Sequence, residues 1–317
     1  LGQYQQAADL FRRALADHER IHGPDHPDTL TSRNNLASSL NGLGQYQQAA
    51  DLFRRALADH ERIHGPDHPD TLTRHPDTLT SRHNLANALF RLGEHPQAAD
   101  LHLQTLADLE HILGPDHPDT LGSRHNLASA LNQLGEHRQA ADLHRQVIAA
   151  RERVLGPEHP DTLSSRNNLA NTLVELGEHR QAVALQRQNV ADLEHILGPD
   201  HPDTLGSRHN LASVLNRLGE YQQAVALHRQ NVADLEHILG PNHPHTLGSR
   251  HNLANTLNQL GEHRQAADLH RETLTARERV LGPEHPDTLT SRNSLANAQA
   301  RLAAAGRRRW WQLPRRR

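Results

Sequence analysis

Two short segments of the chain carry residues of the types that bind and use a zinc ion. Residues 18–22 and residues 60–64 both read His-Glu-Arg-Ile-His. On a helix, the pattern His-Glu-x-x-His places two imidazoles on one face as metal ligands, with the carboxylate beside them as a general base. The chemistry that this pattern would support is zinc-dependent hydrolysis.

The sequence context argues against that chemistry. The two segments lie where related segments of the chain read Leu-Glu-His-Ile-Leu (109–113) or Arg-Glu-Arg-Val-Leu (151–155). No third ligand stands out, whereas catalytic zinc is held by three protein side chains. We therefore predict no metal site and no cofactor. Incidental zinc capture by either histidine pair is the milder alternative, and a zinc hydrolase is a remote one.

Other classes of activity are excluded or weakened by composition. Cysteine is absent, which excludes thiol catalysis, disulfides and thiolate metal sites. Neither a Ser-His-Asp arrangement nor a carboxylate pair stands out, so we expect no enzyme. The net charge of −3 gives no signature of nucleic-acid binding, and no apolar run approaches the roughly 18 residues of a membrane span. We expect neither nucleic acid nor membrane as a partner, and a cytoplasmic location.

The chain consists of near-copies of one segment, and this repetition determines its architecture. A marker Gly-Pro-acid-His-Pro recurs, with asparagine replacing the acid once, at residue 242. The marker begins at Gly23, Gly65, Gly114, Gly156, Gly198, Gly240 and Gly282. Successive markers are 42 residues apart, except for one step of 49 between the second and third. A fixed period of this size indicates a solenoid, in which each repeat packs on its neighbours.

Each repeat encodes two helices, which we call helix A and helix B. In one repeat, Pro118 and Asp119 suit the first turn of helix A, and Gly135 ends that helix. Helix B follows and stops at Gly156. Both helices are amphipathic, and stacking on neighbouring repeats covers the apolar stripe that a lone pair would expose. The pattern predicts an all-α fold of antiparallel helix pairs.

The spacing of small and apolar residues resembles that of the tetratricopeptide repeat. It is carried in the first repeat by Leu36-Ala37, Leu40, Gly44, Tyr46 and Ala49. The 42-residue period with Gly-Pro-Asp-His-Pro resembles the kinesin-light-chain-like subclass, over residues 1 to about 302. The resemblance implies a right-handed α-solenoid, a tetratricopeptide-type superhelix whose helices A line a concave groove. The chain is also similar to the repeat part of bacterial proteins in which a signalling ATPase precedes the repeats. It has no P-loop pattern of its own.

The repeat phase also predicts how the domain is organised. Residues 1–305 are expected to form a single solenoid that starts in mid-repeat, at a helix B, as a fragment of a longer chain would. A seven-residue insertion near 68–75 duplicates His-Pro-Asp-Thr-Leu-Thr. Because proline disfavours a continuous helix, we expect a loop at 67–75 and a helix A that restarts at Pro76.

The last residues differ from the repeats in composition. Residues 306–317 hold six arginines around two tryptophans. We expect Gly306 to end the last helix A and this tail to be disordered. The alternative is that the tail binds an acidic partner, RNA or a membrane surface.

Helical geometry indicates which side chains of helices A face the groove. With the first leucine of the helix as position 1 (Leu30 in the first repeat), positions 2, 5, 6, 9, 12 and 13 lie on one side. Carboxamides recur at positions 6 and 9, and each can both donate and accept a hydrogen bond, as an extended peptide backbone requires. In the kinesin light chains, which the chain resembles, asparagine in this part of helix A contacts bound peptide.

The candidate peptide-binding residues are Asn35, Asn84, Asn87, Asn126, Asn168, Asn171, Asn210, Asn252 and Asn255. The alternative is that these asparagines bond neighbouring helices and have a structural role only. Charged residues are sparse on this side, so the sequence favours an acidic ligand only slightly.

Two further columns of residues run through the repeats. The arginines at position 4 are Arg33, Arg82, Arg124, Arg166, Arg208, Arg250 and Arg292. We interpret them as structural residues paired with Asp or Glu between helices, with a ligand role as the alternative. The 28 histidines mostly follow the repeat consensus, and His144 occupies the place of Phe53. His137 and His144 are interpreted as aromatic packing replacements. Summed over many sites, protonation of histidines near pH 6 is expected to loosen the stack.

These observations favour a protein–protein interaction module that binds an extended peptide or a partner segment in the groove. The second reading is a sensor or oligomerisation arm of a larger multidomain signalling ATPase. Because the first helix B lacks its helix A, we also expect that self-association can occur through this uncapped N-terminal helix.

Overall fold

The computed structural model describes the backbone of residues 2–64 and 76–311 and the side chains of residues 2–63 and 78–305. Within these ranges the chain forms helices joined by short turns and contains no strand. The helices of residues 2–175 are α1 (Gly2–His22), α2 (Pro27–Gly42), α3 (Tyr46–His64), α4 (Pro76–Leu92), α5 (His95–Leu113), α6 (Pro118–Gln133), α7 (His137–Val154) and α8 (Pro160–Glu175). Those that follow are α9 (His179–Leu197), α10 (Pro202–Leu218), α11 (Tyr221–Leu239), α12 (Pro244–Leu260), α13 (His263–Leu281) and α14 (Pro286–Trp311).

The insertion lies mainly outside the described residues. Helix α4 begins at Pro76, as the sequence predicts. The loop predicted at 67–75 and the insertion near 68–75 fall in the range that the structure does not describe. Both therefore remain predictions.

The last helix corrects the sequence analysis. Helix α14 runs through Gly306 to Trp311, so the prediction that Gly306 ends it is wrong. A glycine within a helix costs only about 1 kcal/mol relative to alanine. The alanines before Gly306 and the arginines after it are good helix formers, and they carry the helix across. The predicted disorder of the tail at 306–317 stays a prediction, and 312–317 lie outside the described residues.

The helix ends follow from residue type. The histidine of the marker is the N-cap of helix A: the Nδ1 of His117 accepts the backbone N–H of Asp119 at 3.3 Å. The same bond recurs at His26, His159, His201, His243 and His285. Helix A ends at a left-handed glycine, such as Gly219 with a φ of +88°. A residue with a Cβ is strained in that conformation.

The chain divides into two compact units, residues 1–172 and residues 173–317. In the first unit each of the helices α1 to α6 packs on the helix that follows it, and in the second unit the same holds for α9 to α13. Consecutive helices A also touch, α2 with α4 and α4 with α6 in the first unit, and α12 with α14 in the second. Each unit is thus a stack of antiparallel pairs. That one solenoid spans 1–305 stays a prediction.

Leucine and alanine dominate the cores of the two units. In the first unit Leu40, Ala50 and Phe53 belong to one buried cluster. In the second unit Leu257 and Ala266 belong to another. Alanine at the helix crossings lets the backbones approach closely, and the leucines fill the space that remains between them.

The position-4 arginines join consecutive helices, as the sequence predicts. Arg208 is 2% exposed, and its guanidinium contacts Glu194 of α9 and Asp234 of α11. The pairs seen in the described residues include Arg33 with Glu19 and Asp59, Arg82 with Asp108, Arg124 with Glu110, Arg166 with Glu152, Arg208 with Glu194 and Asp234, Arg250 with Glu236, and Arg292 with Glu278. We call these pairs the arginine clamps. A structural role accounts for all seven.

Candidate functional site

Helices α2, α4, α6 and α8 of the first unit line a groove of about 580 Å³. Its walls bring together four of the candidate peptide-binding residues, Asn87, Asn126, Asn168 and Asn171. Three more carboxamides also line it. The rest of the lining is Ser129, Thr172, Phe90, Arg91, His102 and His144, and the three carboxamides are Asn41, Asn132 and Gln133. We call this surface the amide groove. It offers a row of groups that donate and accept hydrogen bonds.

Some of these amides also bond to one another. Asn126 donates its Nδ2 to the Oδ1 of Asn87 at 3.1 Å, between α6 and α4. Asn168 lies 2.9 Å from the Nε2 of His125, between α8 and α6. Asn171 is exposed and makes no side-chain hydrogen bond with the described residues. The amides therefore join helices A and line the groove at the same time, because a carboxamide has four hydrogen-bonding sites.

Two other candidates, Asn210 and Asn252, lie in the second unit, in a larger groove of about 870 Å³. This groove runs over the first turns of α10 and α12 and the end of α11, and it is more apolar than the amide groove. Its lining includes Leu205, Leu235, Ile238, Leu239, Gly206 and Gly248. We call it the glycine slot. The remaining candidates, Asn35, Asn84 and Asn255, are not among the residues that line either groove.

Glycine is unexpected inside a helix, and the slot holds two. A Cβ built on Gly206 or Gly248 would meet no other atom within 4 Å, so packing within the described residues does not require glycine. Glycine in a helix interior costs about 1 kcal/mol relative to alanine. The space above these backbones is open.

Buried histidines pack in pairs under the helices A. His125 of α6 and His144 of α7 contact edge to face with ring centroids 5.3 Å apart. His83 with His102, His209 with His228, and His251 with His270 form the corresponding pairs, at 5.2 to 5.8 Å. The predicted aromatic packing role is thus confirmed for His144, and its partner is a second histidine, His125, that was not predicted from the sequence.

Burial sets the protonation of these rings. Desolvation, followed by the charge of the neighbouring His125, lowers the pKa of His144 to about 3. Desolvation and the partner ring lower the pKa of His102 to about 3 and those of His228 and His270 to about 4. Desolvation, with the charge of Arg151, lowers the pKa of His125 to about 4. All five rings are therefore neutral at pH 7.

The histidines of the segment at 18–22 have other contacts. His18 uses its Nδ1 toward the Oγ of Ser32 at 2.9 Å and the carbonyl of Asp28 at 3.2 Å. The His22 ring stacks on His26 with centroids 4.5 Å apart. Among the described residues, no group of three or more His, Asp or Glu side chains is placed to hold a metal ion.

Comparisons with known proteins give the family. The tetratricopeptide repeat model matches residues 1–60, 33–75, 77–153, 131–194, 203–279 and 249–305. The solved structure of a kinesin light chain from Podosopora anserina, with nearly identical TPR-like repeats, is 33% identical to this chain. That match covers 67% of this chain and 97% of the other, with a TM-score of 0.58. A comparison with curated proteins finds no match.

Two more distant structures share the fold. BtubC (BKLC) from P. vanneervenii is 18% identical, covers 75% of this chain and 92% of its own, and has a TM-score of 0.60. A Rap protein complexed with competence and sporulation factor is 13% identical, covers 94% of this chain and 81% of its own, and has a TM-score of 0.56.

The chain belongs to the tetratricopeptide repeat family, whose fold typically serves as a scaffold for protein–protein interaction. The 42-residue period and the Podosopora structure place its repeats in the kinesin-light-chain-like subclass. Within the described ranges, no helix is both long enough and apolar enough to cross a bilayer.

The sequence analysis missed several residues of these grooves. Asn41 and Asn132 occupy position 12 of helix A, which the helical angles place on the groove side. The recurrence of asparagine at this position could have identified them from the sequence. His102 and His144 reach the amide groove from helices B, which the angles of helix A do not address. Three of the four leucines and isoleucines that line the glycine slot come from the end of α11, again a helix B.

Proposed function

We propose that the chain is a non-catalytic binding module that holds an extended peptide or an extended segment of a partner protein in the amide groove. The observation that most directly supports this proposal is that Asn87, Asn126, Asn168 and Asn171 line one groove of about 580 Å³. An extended backbone presents alternating N–H and C=O groups, and a row of carboxamides can pair with both.

The electrostatics of the groove are consistent with this ligand. Its lining includes one formal charge, Arg91, which is exposed, and the neighbouring imidazoles of His102 and His144 are neutral at pH 7. Affinity would thus come from hydrogen bonds to the backbone. The single arginine adds a modest preference for a carboxylate on the guest.

The test compares peptide binding by the intact chain and by alanine variants. A phage-displayed library of random 12-residue peptides is selected on the chain, and the affinities of enriched peptides are measured by fluorescence anisotropy. The main variant is Asn171→Ala, because this side chain makes no internal bond in the described residues and its loss leaves the helices intact. Asn126→Ala/Asn168→Ala removes two more amides. The matched control is Gln146→Ala, an exposed amide on helix α7.

We expect the triple variant Asn126→Ala/Asn168→Ala/Asn171→Ala to bind enriched peptides at least about tenfold more weakly than the wild type, since each net hydrogen bond contributes about 1 kcal/mol. Asn171→Ala alone should account for a severalfold part of this loss, with an unchanged melting temperature. Equal affinity for the wild type, the triple variant and the Gln146 control would refute the assignment.

A second proposal concerns self-association through α1. Leu10 is 64% exposed, whereas Leu52, at the same place in the identical helix α3, is half-buried in the core cluster. Sedimentation velocity on the wild type and on Leu10→Ser would test it. A concentration-dependent larger species that the variant abolishes would support self-association, and a monomer at all concentrations would refute it.

A further inference from the structure

The repeats are of two kinds, which differ at one site near the end of helix B and at position 2 of the next helix A. Where helix B carries leucine, helix A carries glycine; the pairs are Leu109 with Gly122, Leu193 with Gly206 and Leu235 with Gly248. Where helix B carries arginine or histidine, helix A carries threonine or serine; the pairs are His18 with Thr31, His60 with Thr80, Arg151 with Ser164 and Arg277 with Thr290. The two sites change together in all seven repeats.

In the second kind of repeat the site is filled by the chain itself. Arg151 is 8% exposed and donates from Nη1 to the carbonyl of Asp161 at 2.8 Å and to the Oγ of Ser165 at 2.7 Å. Arg277 makes the same two bonds, to the carbonyl of Asp287 and the Oγ of Ser291. The buried guanidinium therefore bridges helix B and the next helix A.

In the first kind the site is open. A Cβ at Gly122, Gly206 or Gly248 would meet no other atom within 4 Å. The single glycine Gly122, opposite Thr80 of the neighbouring helix A, leaves a cavity of about 420 Å³ in the first unit. The glycine slot has glycine on both neighbouring helices A, and its volume is about 870 Å³. The opening flanked by two glycines is thus the larger of these two.

The walls and the floor of the glycine slot differ in chemistry. Ile238 and Leu239 line it while remaining 43% and 41% exposed, so their apolar surface faces the opening. On the floor, Asn231 is 2% exposed and donates its Nδ2 to the carbonyl of Leu205 at 3.1 Å. Its Oδ1 has no hydrogen-bond donor among the described residues. A buried acceptor of this kind is satisfied by a guest that brings an N–H.

Charge does not favour an ionic guest. Asp200 and Asp287 line the slot together with the buried cation Arg277, and His209 and His251 have pKa values lowered by burial. The two carboxylates and the guanidinium leave a net charge of only −1 on the lining, so most of the charge is compensated within the site. The remaining complementarity is an apolar surface beside a hydrogen-bond acceptor, which matches one stretch of polypeptide.

We propose that the glycine slot binds a large apolar side chain of an extended peptide segment, which also donates a backbone N–H to the Oδ1 of Asn231. This inference rests on the proposed function, and it adds the chemistry of the guest and the repeats that hold it. A repeat with leucine near the end of helix B and glycine at position 2 of the next helix A is open to an apolar side chain of the peptide. A repeat with arginine or histidine at the first site and threonine or serine at the second is closed. The smaller opening at Gly122 holds one such anchor in the first unit.

The chain supplies its own matched variant for the test. Leu235→Arg/Gly248→Thr converts an open repeat into the closed kind already present at Arg277 and Thr290. Ser249 stands where Ser291 accepts from Arg277, so the new arginine finds its acceptor in place. Gly248→Thr alone is the second variant if the double variant fails to fold, and circular dichroism with thermal melting checks both. Asn126→Ala/Asn168→Ala, in the amide groove, separates the two proposals.

Peptides selected on the full chain from the random 12-residue library are the probe. We expect enriched sequences to share a leucine, isoleucine or phenylalanine whose replacement by alanine weakens binding at least tenfold. The closed variant Leu235→Arg/Gly248→Thr should also bind the unchanged peptide at least tenfold more weakly. Combining this variant with the alanine-replaced peptide should weaken binding no further, because both changes remove the same contact. If enriched peptides need the amide groove yet bind the folded closed variant as tightly as the wild type, the inference is overturned and the proposed function stands. If no peptide is enriched, both are overturned.

Discussion

The paired histidines make the stability of the fold depend on pH below neutrality. His102, His144, His228 and His270 are at most 1% exposed, and each packs against a second histidine. Their Nδ1 atoms have no hydrogen-bond partner among the described residues. A proton on any of these rings would place an unpaired charge in an apolar setting, beside a ring that is itself a potential cation.

The direction of the effect follows from the lowered pKa values. In the folded chain the pKa is about 3 for His102 and His144 and about 4 for His125, His228 and His270. The unfolded chain takes up these protons below a pKa of about 6.5. Stability is therefore fully present above pH 6.5, and it falls steadily as the pH drops from 6.5 toward 4.

Between pH 7.5 and pH 5.5 each such histidine costs about 1.3 kcal/mol of unfolding free energy. The first unit contains three of them and should lose about 4 kcal/mol, and the second contains two and should lose about 3 kcal/mol. These losses are a large share of the stability of a domain of ordinary size. The loosening predicted from the sequence thus starts below pH 6.5, and the rings inside the folded chain titrate only near pH 3 to 4.

Urea denaturation followed by circular dichroism at pH 7.5, 6.5 and 5.5 measures the effect. The matched variant is His125→Asn/His144→Phe, which copies the combination Asn34 and Phe53 of the first repeat. Its loss in the first unit should be smaller than that of the wild type by about 2.7 kcal/mol, because His125 and His144 no longer take up protons on unfolding. An unfolding free energy that is the same at pH 7.5 and 5.5, or an equal loss in wild type and variant, would refute this reasoning.

Three further changes have defined outcomes. Arg208→Ala should destabilise the second unit by about 2–3 kcal/mol in urea denaturation, because it leaves the carboxylates of Glu194 and Asp234 facing each other without a cation. In contrast, Arg292→Ala should cost under about 1 kcal/mol, because the Arg292 side chain is 47% exposed. Gly248→Ala should raise the unfolding free energy by about 1 kcal/mol, since its Cβ meets no atom, and a decrease would show a hidden clash. His201→Ala should lower it by about 1 kcal/mol through loss of the N-cap bond at 3.2 Å, and no change would mean that solvent caps the helix equally well.

The helices and their pairing could be predicted because the signals are local and repeated. Proline at the first position and glycine after the last turn fix the helix bounds, and α13 spans His263–Leu281 as the spacing indicates. The arginine clamps could also be predicted, because a buried arginine requires a carboxylate and each repeat supplies one. The convergence of Asn126 and Asn168 follows from helical angles alone.

Other features depend on how one helix crosses the next, which spacing does not encode. The contact between His125 and His144 joins helix A to helix B. The angular position of each residue around its own helix does not predict such a contact between two helices. The N-cap role of His117 was hidden because histidine is not among the preferred N-cap residues. The continuation of α14 past Gly306 reflects the balance between one unfavourable glycine and several favourable neighbours.

The arginine clamps have a consequence for how such a gene can change its length. Arg208 meets a glutamate 14 residues before it, and Arg250, 42 residues further on, meets its own glutamate at the same distance. If recombination removed residues 198–239, Glu194 would stand 14 residues before Arg250 and the ion pair would form anew. A deletion of 42 residues, or of a multiple of 42, can therefore remove whole repeats without leaving an uncompensated charge at the junction.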